Sequence, residues 1–182
     1  DAAPQEPVQT KPDSEAPAIP AQKKGSVFTV NGMKYKITSA AKSKIQTATL
    51  LGTTRKKTSL RSLTVKNTVQ NRDVKFQITA IAANAFCQCK NLKTVKIGNA
   101  VQKIGSKSFF KCTALKSVSI GTGLSKISSR AFAGCKKLNR ITVKSKKVTG
   151  IGTRAFHNIH PKAKIQGKKS FLTLWSEYQR NR

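Results

Sequence analysis

Four kinds of side chain in this chain could do chemistry: four cysteines, two histidines, six carboxylates and 36 lysines and arginines. Cys89, Cys112 and Cys135 recur at intervals of 23 residues, with Cys87 just ahead of the first. That spacing is neither the C-x-x-C of a redox pair nor that of a zinc knuckle. His157 and His160 stand i, i+3, but no Cys or carboxylate shares their stretch to complete a tetrahedral set. They read as surface histidines, and no metal is expected. General acid–base catalysis needs a positioned carboxylate, His or similar group. Beyond residue 24 the only carboxylates are Asp73 and Glu177, in opposite end regions. A Ser or Cys nucleophile needs a neighbouring base, and no His falls among the cysteine-bearing stretches. Gly105-Ser-Lys-Ser108 lacks the Gly-rich lead of a phosphate-binding loop. The chain is therefore expected to be no enzyme and to use no cofactor.

What remains is positive charge. The formal net charge is +30, and it is unevenly placed. Residues 1–24 hold four of the six acids beside three lysines; the remainder carries 33 Lys/Arg against two acids. Charge of one sign at this density repels itself and opposes compaction, so the body must fold with a large solvated surface. A solubilising surface normally mixes signs, and the near absence of acids points to anionic neighbours. The candidate cations fall at recurring positions: Lys107, Arg130 and Arg154 in one, Lys103 and Lys126 in a second, Lys93 and Lys116 in a third. Lys96, Arg140 and Lys144 lie at strand positions expected to face the concave side, among Thr94, Ser117, Ser119 and Thr142.

The elements that must position these residues are legible in pieces. Residues 1–24 hold five of the six prolines and no apolar periodicity, which predicts a disordered, semi-extended leader. Residues 25–80 read as a hairpin cap and a degenerate repeat. Val27–Val30 and Met33–Thr38 flank Asn31-Gly32, the pair that suits a type I′ turn because both positions need positive φ. Val74, Phe76 and Ile78 alternate in the same way. Leu60, Leu63 and Val65 have the spacing of the strands that follow.

Residues 81–165 repeat tightly. Ile81-Ala-Ala-Asn-Ala-Phe86 returns as Ile104-Gly-Ser-Lys-Ser-Phe109, Ile127-Ser-Ser-Arg-Ala-Phe132 and Ile151-Gly-Thr-Arg-Ala-Phe156. The Phe-to-Phe intervals are 23, 23 and 24 residues. After each of the first three come a Cys, then Leu92, Leu115 and Leu138, then Val95, Val118 and Ile141, then Ile97, Ile120 and Val143. A period of roughly 20–29 residues with Leu-x-x-Val-x-Ile spacing is that of leucine-rich repeats. Each unit predicts one solenoid coil: a strand with alternate residues inward, a tight turn or short helix over the Phe, and a return segment. No unit can bury its apolar face alone, so stacking makes the core. Residues 166–182 read as a C-terminal cap, because Phe171, Leu174, Trp175 and Tyr178 share one helical face.

These motifs resemble the BspA-like, or Treponema-type, leucine-rich repeats of bacterial cell surfaces. The carriers are Ile-Gly-x-x-(Ala/Ser)-Phe-x-x-Cys-x-x-Leu-x-x-Val-x-Ile in 81–165, with Val30–Thr38 and Val74–Ile81 similar to segments that often precede such repeats. The resemblance covers about residues 26–178. It implies a leucine-rich-repeat solenoid, mainly β with short helical turns and parallel strands, closed by an N-terminal hairpin and a C-terminal helix. It also implies a protein that is secreted or held at the bacterial surface and used for adhesion; the chain starts at Asp1 with no charged start ahead of an apolar stretch, so any signal peptide is expected to be gone already. Gly98, Gly121 and Lys144 stand where the family often has Pro. The family shares no ligand motif, so no binding residue carries over.

The cysteine column admits a disulfide, a metal or buried thiols. In-register strands lie about 4.7–4.9 Å apart, farther than the roughly 3.8 Å between Cβ atoms in a disulfide. Three equivalent positions would also leave one thiol over. Free Cys is among the most buried residue types, which favours buried thiols. For the cations, the expected partners are an anionic glycan or teichoic acid, or a host matrix or bacterial surface protein. A nucleic acid is the runner-up, since the charge suits it but no exposed aromatic platform for stacking is visible. A third reading is a targeting domain of a larger surface protein. No stretch of the sequence is apolar enough to span a membrane as a helix.

Overall fold

The computed structural model of the protein describes residues 22–39 and 45–180. The leader expected over residues 1–24 lies outside the described residues, apart from its last three. Thirteen strands and one helix follow in chain order. They are β1 (Val27–Val30), β2 (Met33–Ser39), β3 (Ile45–Thr53), β4 (Ser62–Val65), β5 (Thr68–Asn71), β6 (Val74–Ile81) and β7 (Thr94–Ile97). Then come β8 (Lys103–Ile104), β9 (Ser117–Ile120), β10 (Lys126–Ile127), β11 (Arg140–Val143), β12 (Gly150–Ile151), β13 (Lys164–Gly167) and α1 (Lys169–Arg180).

Two sheets wind around one core. One is fully parallel, in the order β13-β11-β9-β7-β4. Its register stacks like on like: Leu63, Val95, Val118, Ile141 and Ile165 form one inward row, and Val65, Ile97, Ile120 and Val143 the next. The alternation of apolar and polar residues dictates this, because a one-residue slip would turn every aliphatic outward. The other sheet runs β1-β2-β3-β6-β8-β10-β12, with β5 pairing β6. Ile81 at the end of β6 stacks in register with Ile104, Ile127 and Ile151 of the two-residue strands β8, β10 and β12.

The third side of each coil is a run of hydrogen-bonded turns. Alternate amides bond within the coil and to the next coil. Cys112 N–H donates to Phe109 O at 3.3 Å within its coil, whereas Phe109 N–H donates to Ala131 O of the following coil at 2.8 Å. The alternative of a short helix is not realised here; the helix of the described residues is α1. This zigzag needs residues at positive φ, and they recur: Asn84, Lys107, Arg130 and Arg154 share one position with φ of 54–58°, and Gln88, Lys111, Gly134 and Asn158 another. Beneath the turns Phe86, Phe109, Phe132 and Phe156 form a ladder. Ring centroids are 5.5, 5.1 and 5.3 Å apart and interplanar angles are 11° or less. All four rings are buried.

Both ends are closed. At the N-terminal end Asn31 and Gly32 take φ of 51° and 76°, as the type I′ turn requires. The hairpin does not meet the first clear coil directly. β3 stands between, antiparallel to β2 and parallel to β6, and it aligns Leu50 with Ile81. Gly52 has φ of 143°, and a Cβ there would lie 2.5 Å from Ala85 O. The glycine therefore lets this strand approach the first turn run. At the C-terminal end α1 buries Phe171 and half-buries Leu174, Trp175 and Tyr178. Trp175 meets Phe156 edge-on at 5.0 Å. The Tyr178 hydroxyl accepts the Phe156 N–H at 3.0 Å, replacing the carbonyl that the next coil would have supplied. Among the described residues no helix is long and apolar enough to cross a membrane.

Candidate polyanion-binding surface

The turn runs and strand registers decide which cations meet. All ten candidate residues are exposed, but they do not form one surface. Lys103 and Lys126 are direct register partners on β8 and β10, flanked in the same row by Ala80 and Gly150. Four residues on around each coil stand Lys107, Arg130 and Arg154, at the recurring left-handed position. The coils repeat about every 4.8 Å, so these five side chains make a two-column strip along the solenoid axis.

A second strip runs where the turns enter the parallel sheet. Lys116 N–H donates to Lys93 O and Lys93 N–H to Arg61 O, at 2.8 and 2.7 Å. Arg61, Lys93 and Lys116 are therefore in line, with Asn139 next. Arg61 was absent from the sequence-based set. Its signal was available: it precedes Ser62-Leu63-Thr64-Val65 just as Lys93 precedes Thr94-Val95-Lys96-Ile97.

The remaining three candidates are separated by the register. On the outer face of the parallel sheet, Arg140 lies in the row Ser62, Thr94, Ser117, Arg140, Lys164. Lys96 lies in the other row, Thr64, Lys96, Ser119, Thr142, Gln166. Lys144 follows β11, its N–H on Ile120 O, at the position that Gly98 and Gly121 fill in earlier coils. This face is chiefly hydroxyl-bearing; Arg140 and Lys164 are register neighbours at its C-terminal end, while Lys96 lies between Thr64 and Ser119.

The left-handed position matters energetically. It disfavours any residue with a Cβ by roughly 1–2 kcal/mol, with Gly exempt and Asn tolerated. Asn84 fits that preference, as do Gly134 and Asn158 at the companion position. Lys107, Arg130 and Arg154 run against it, as do Gln88 and Lys111 at the companion position. Asp73 and Glu177, both exposed, are the carboxylates among the described residues.

The buried thiols give no reactive centre. Cys89, Cys112 and Cys135 are buried and unbridged, and Cys87 is a half-buried free thiol. Cys112 and Cys135 donate to Phe86 O and Phe109 O of the preceding coils, both at 3.1 Å. Burial pushes the Cys89 thiol up to about 11. Cys112 is also raised, chiefly by its hydrogen bond with Cys135 and by burial. A thiol raised in this way is a poor nucleophile and metal ligand at neutral pH. His160 Nδ1 accepts the Lys162 N–H at 3.1 Å, and His157 is exposed on the last turn run.

The family profile described as BspA type leucine rich repeat region matches residues 56–178 in six copies. No curated protein matches the chain. Among solved structures, a leucine-rich repeat protein from Bacteroides capillosus is similar with a TM-score of 0.65 and 23% identity, over 79% of this chain and 99% of that one. One from Bacteroides ovatus has a TM-score of 0.63 and 22% identity over 79% of this chain and 38% of that one. A leucine rich cell surface protein from Faecalibacterium prausnitzii has a TM-score of 0.52 and 20% identity, over 82% of this chain and 52% of that one. At these identities the likeness is one of fold.

Proposed function

The chain belongs to the BspA-type leucine-rich-repeat family, and on that premise we propose that it is a non-catalytic extracellular module that docks on anionic surface polymers, acidic glycans or teichoic acid, through its first basic strip. One observation carries the reading: three cations recur in one column of successive coils. Lys107, Arg130 and Arg154 occupy a left-handed position in three successive coils, although Asn or Gly would fit the backbone better. Residues held in a disfavoured backbone conformation cluster at functional sites. A column of cations at coil spacing, beside Lys103 and Lys126, suits an anion whose charges repeat along an axis. The cell-surface designation of the similar Faecalibacterium prausnitzii protein is in keeping with a position at the bacterial surface.

The test is a binding comparison on immobilised heparin, lipoteichoic acid and duplex DNA at two salt concentrations. Two triple variants are compared: Lys107→Gln/Arg130→Gln/Arg154→Gln and Lys96→Gln/Arg140→Gln/Lys144→Gln. Both remove three charges, so a diffuse electrostatic effect weakens binding equally. The strip reading requires the first to lose more and to flatten the salt dependence, by about one unit of slope per lost contact for a phosphate polymer. Equal losses overturn it. Tighter binding to DNA than to either surface polymer favours a nucleic-acid partner instead.

A further inference from the structure

We infer that the cleft between the last coil and α1 holds the terminal acidic sugar of an anionic glycan whose chain follows the first basic strip. The inference rests on the polyanion reading above. The cleft has a volume of about 640 Å³, within the roughly 300–1,000 Å³ of small-ligand sites. Its apolar floor is Ile151 and Leu174, both half-buried, with the Tyr178 ring beside them. Arg154 and His157 stand on the coil side and Glu177 on the helix side, all exposed at the rim.

Three features select the ligand chemistry. Arg154 is both the last cation of the left-handed column and a wall of the cleft, so an anion tracked along the column arrives there. Its guanidinium suits a planar carboxylate, which it can hold through two parallel hydrogen bonds. Glu177 is one of only two carboxylates among the described residues, and it makes no ion pair with Arg154 across the cleft. An ionised carboxylate only accepts hydrogen bonds, so it rejects a ligand made of acceptors alone, such as a phosphodiester end. A sugar acid brings both sets: a carboxylate for Arg154 and hydroxyl donors for Glu177. The apolar face of its ring suits Leu174 and Tyr178. The Tyr178 hydroxyl already accepts the Phe156 N–H, which holds the ring in place and leaves its own hydrogen to donate.

Main-chain hydrogen bonds hold the coil-side wall. Arg130 N–H donates to Thr153 O at 3.1 Å, and Gly134 N–H to His157 O at 2.9 Å. Both backbone contacts tie the coil side of the cleft to the coil before it.

The experiment is an amide-shift titration of the full chain with free glucuronic acid and N-acetylneuraminic acid. Glucose, inorganic phosphate and glycine serve as comparators. The sugar acids are expected to shift amides of residues 153–157 and 174–178, with millimolar dissociation constants. Arg154→Gln and Glu177→Gln should each weaken them by at least about tenfold, the value of one charge-assisted hydrogen bond. Both residues are exposed, and the spectrum itself reports whether each variant stays folded. Equal shifts from glucose, phosphate or glycine overturn the assignment, as does an unchanged affinity in Glu177→Gln. If the sugar acids leave these amides unmoved while polymers still bind with salt dependence, the cleft inference fails alone. If neither binds, the polyanion reading fails with it.

Discussion

Replacing Phe109 by Ala tests whether the ring ladder couples the coils. Phe109 is fully buried, with Phe86 at 5.5 Å on one side and Phe132 at 5.1 Å on the other. Nearly parallel rings at those separations are offset, which is the arrangement their quadrupoles prefer. Truncating a buried Phe to Ala costs about 3–5 kcal/mol through lost transfer energy and the cavity left behind. The site sits at the high end of that range. Both neighbouring coils are pinned by main-chain hydrogen bonds to the coil of Phe109, so they cannot collapse into the space. Two ring contacts are lost as well, each worth about 0.5–1.5 kcal/mol beyond area. A loss near 5 kcal/mol is comparable with the whole stability of many domains, about 5–15 kcal/mol. Urea unfolding should be followed by far-UV circular dichroism, which reports all coils, and by fluorescence of Trp175, which reports the C-terminal cap. In a chain where each coil touches only its neighbours, breaking one contact should separate the two transitions. Phe86→Ala, at the end of the ladder, should cost less by about one ring contact. A loss below about 2 kcal/mol in Phe109→Ala, with both probes still coincident, refutes the idea that the rings carry the coupling.

Other outcomes follow from single contacts. Tyr178→Phe removes the acceptor of the Phe156 N–H and should cost about 1 kcal/mol in urea denaturation, with faster amide exchange in the last turn run; unchanged exchange there would mean the hydroxyl does not close the ladder. Arg130→Asn should stabilise the fold by up to about 1 kcal/mol by easing the left-handed position while weakening heparin retention, and a destabilised variant would contradict the strain argument. Alkylation at pH 8 followed by mass spectrometry should modify Cys87 rapidly and the buried Cys89, Cys112 and Cys135 only after unfolding. At that pH about one in a thousand Cys89 thiols is ionised, given its value near 11. Linkage adds a pH dependence: the unfolded Cys89 thiol ionises near 9.0 and the folded one near 11, so its contribution is complete below pH 9 and is lost as pH rises through that interval. The change in denaturation midpoint between pH 8 and pH 10, compared between the native chain and Cys89→Ala, checks the sign, because the variant shares the loss of lysine charge.

The repeat was legible because its columns are enforced by burial. Ile81, Phe86, Cys89, Leu92, Val95 and Ile97 are all buried, and each recurs wherever the coil recurs. The Asn31-Gly32 turn was equally plain, since its backbone restricts the residue types. β3 was not. Ile45–Thr53 has no clean alternation and no turn pair at its ends, and its place is set by partners on both sides, β2 and β6. The hairpin of β5 and β6 turns at Arg72, with φ of 54°, without the Asn-Gly pair that would have announced it. The charges were only partly legible. Equal offsets from the column Phe bring Lys107, Arg130 and Arg154 together. Lys96, Arg140 and Lys144 sit at three different offsets, and the register scatters them. A left-handed backbone at Lys107 has no sequence signal, because Lys is not a residue type that marks such a site.

The ladder of main-chain bonds between coils also makes the surface a ruler. Spacing between successive cations along the axis comes from backbone pitch, about 4.8 Å, and no side-chain substitution alters it. Mutation can only fill or empty a graduation, as Asn84 and Gly150 leave theirs blank. If linear anions bind as proposed, selectivity among them is set in discrete steps, by how many consecutive graduations carry charge. Duplicating one coil would lengthen the scale by a single mark without recalibrating the rest.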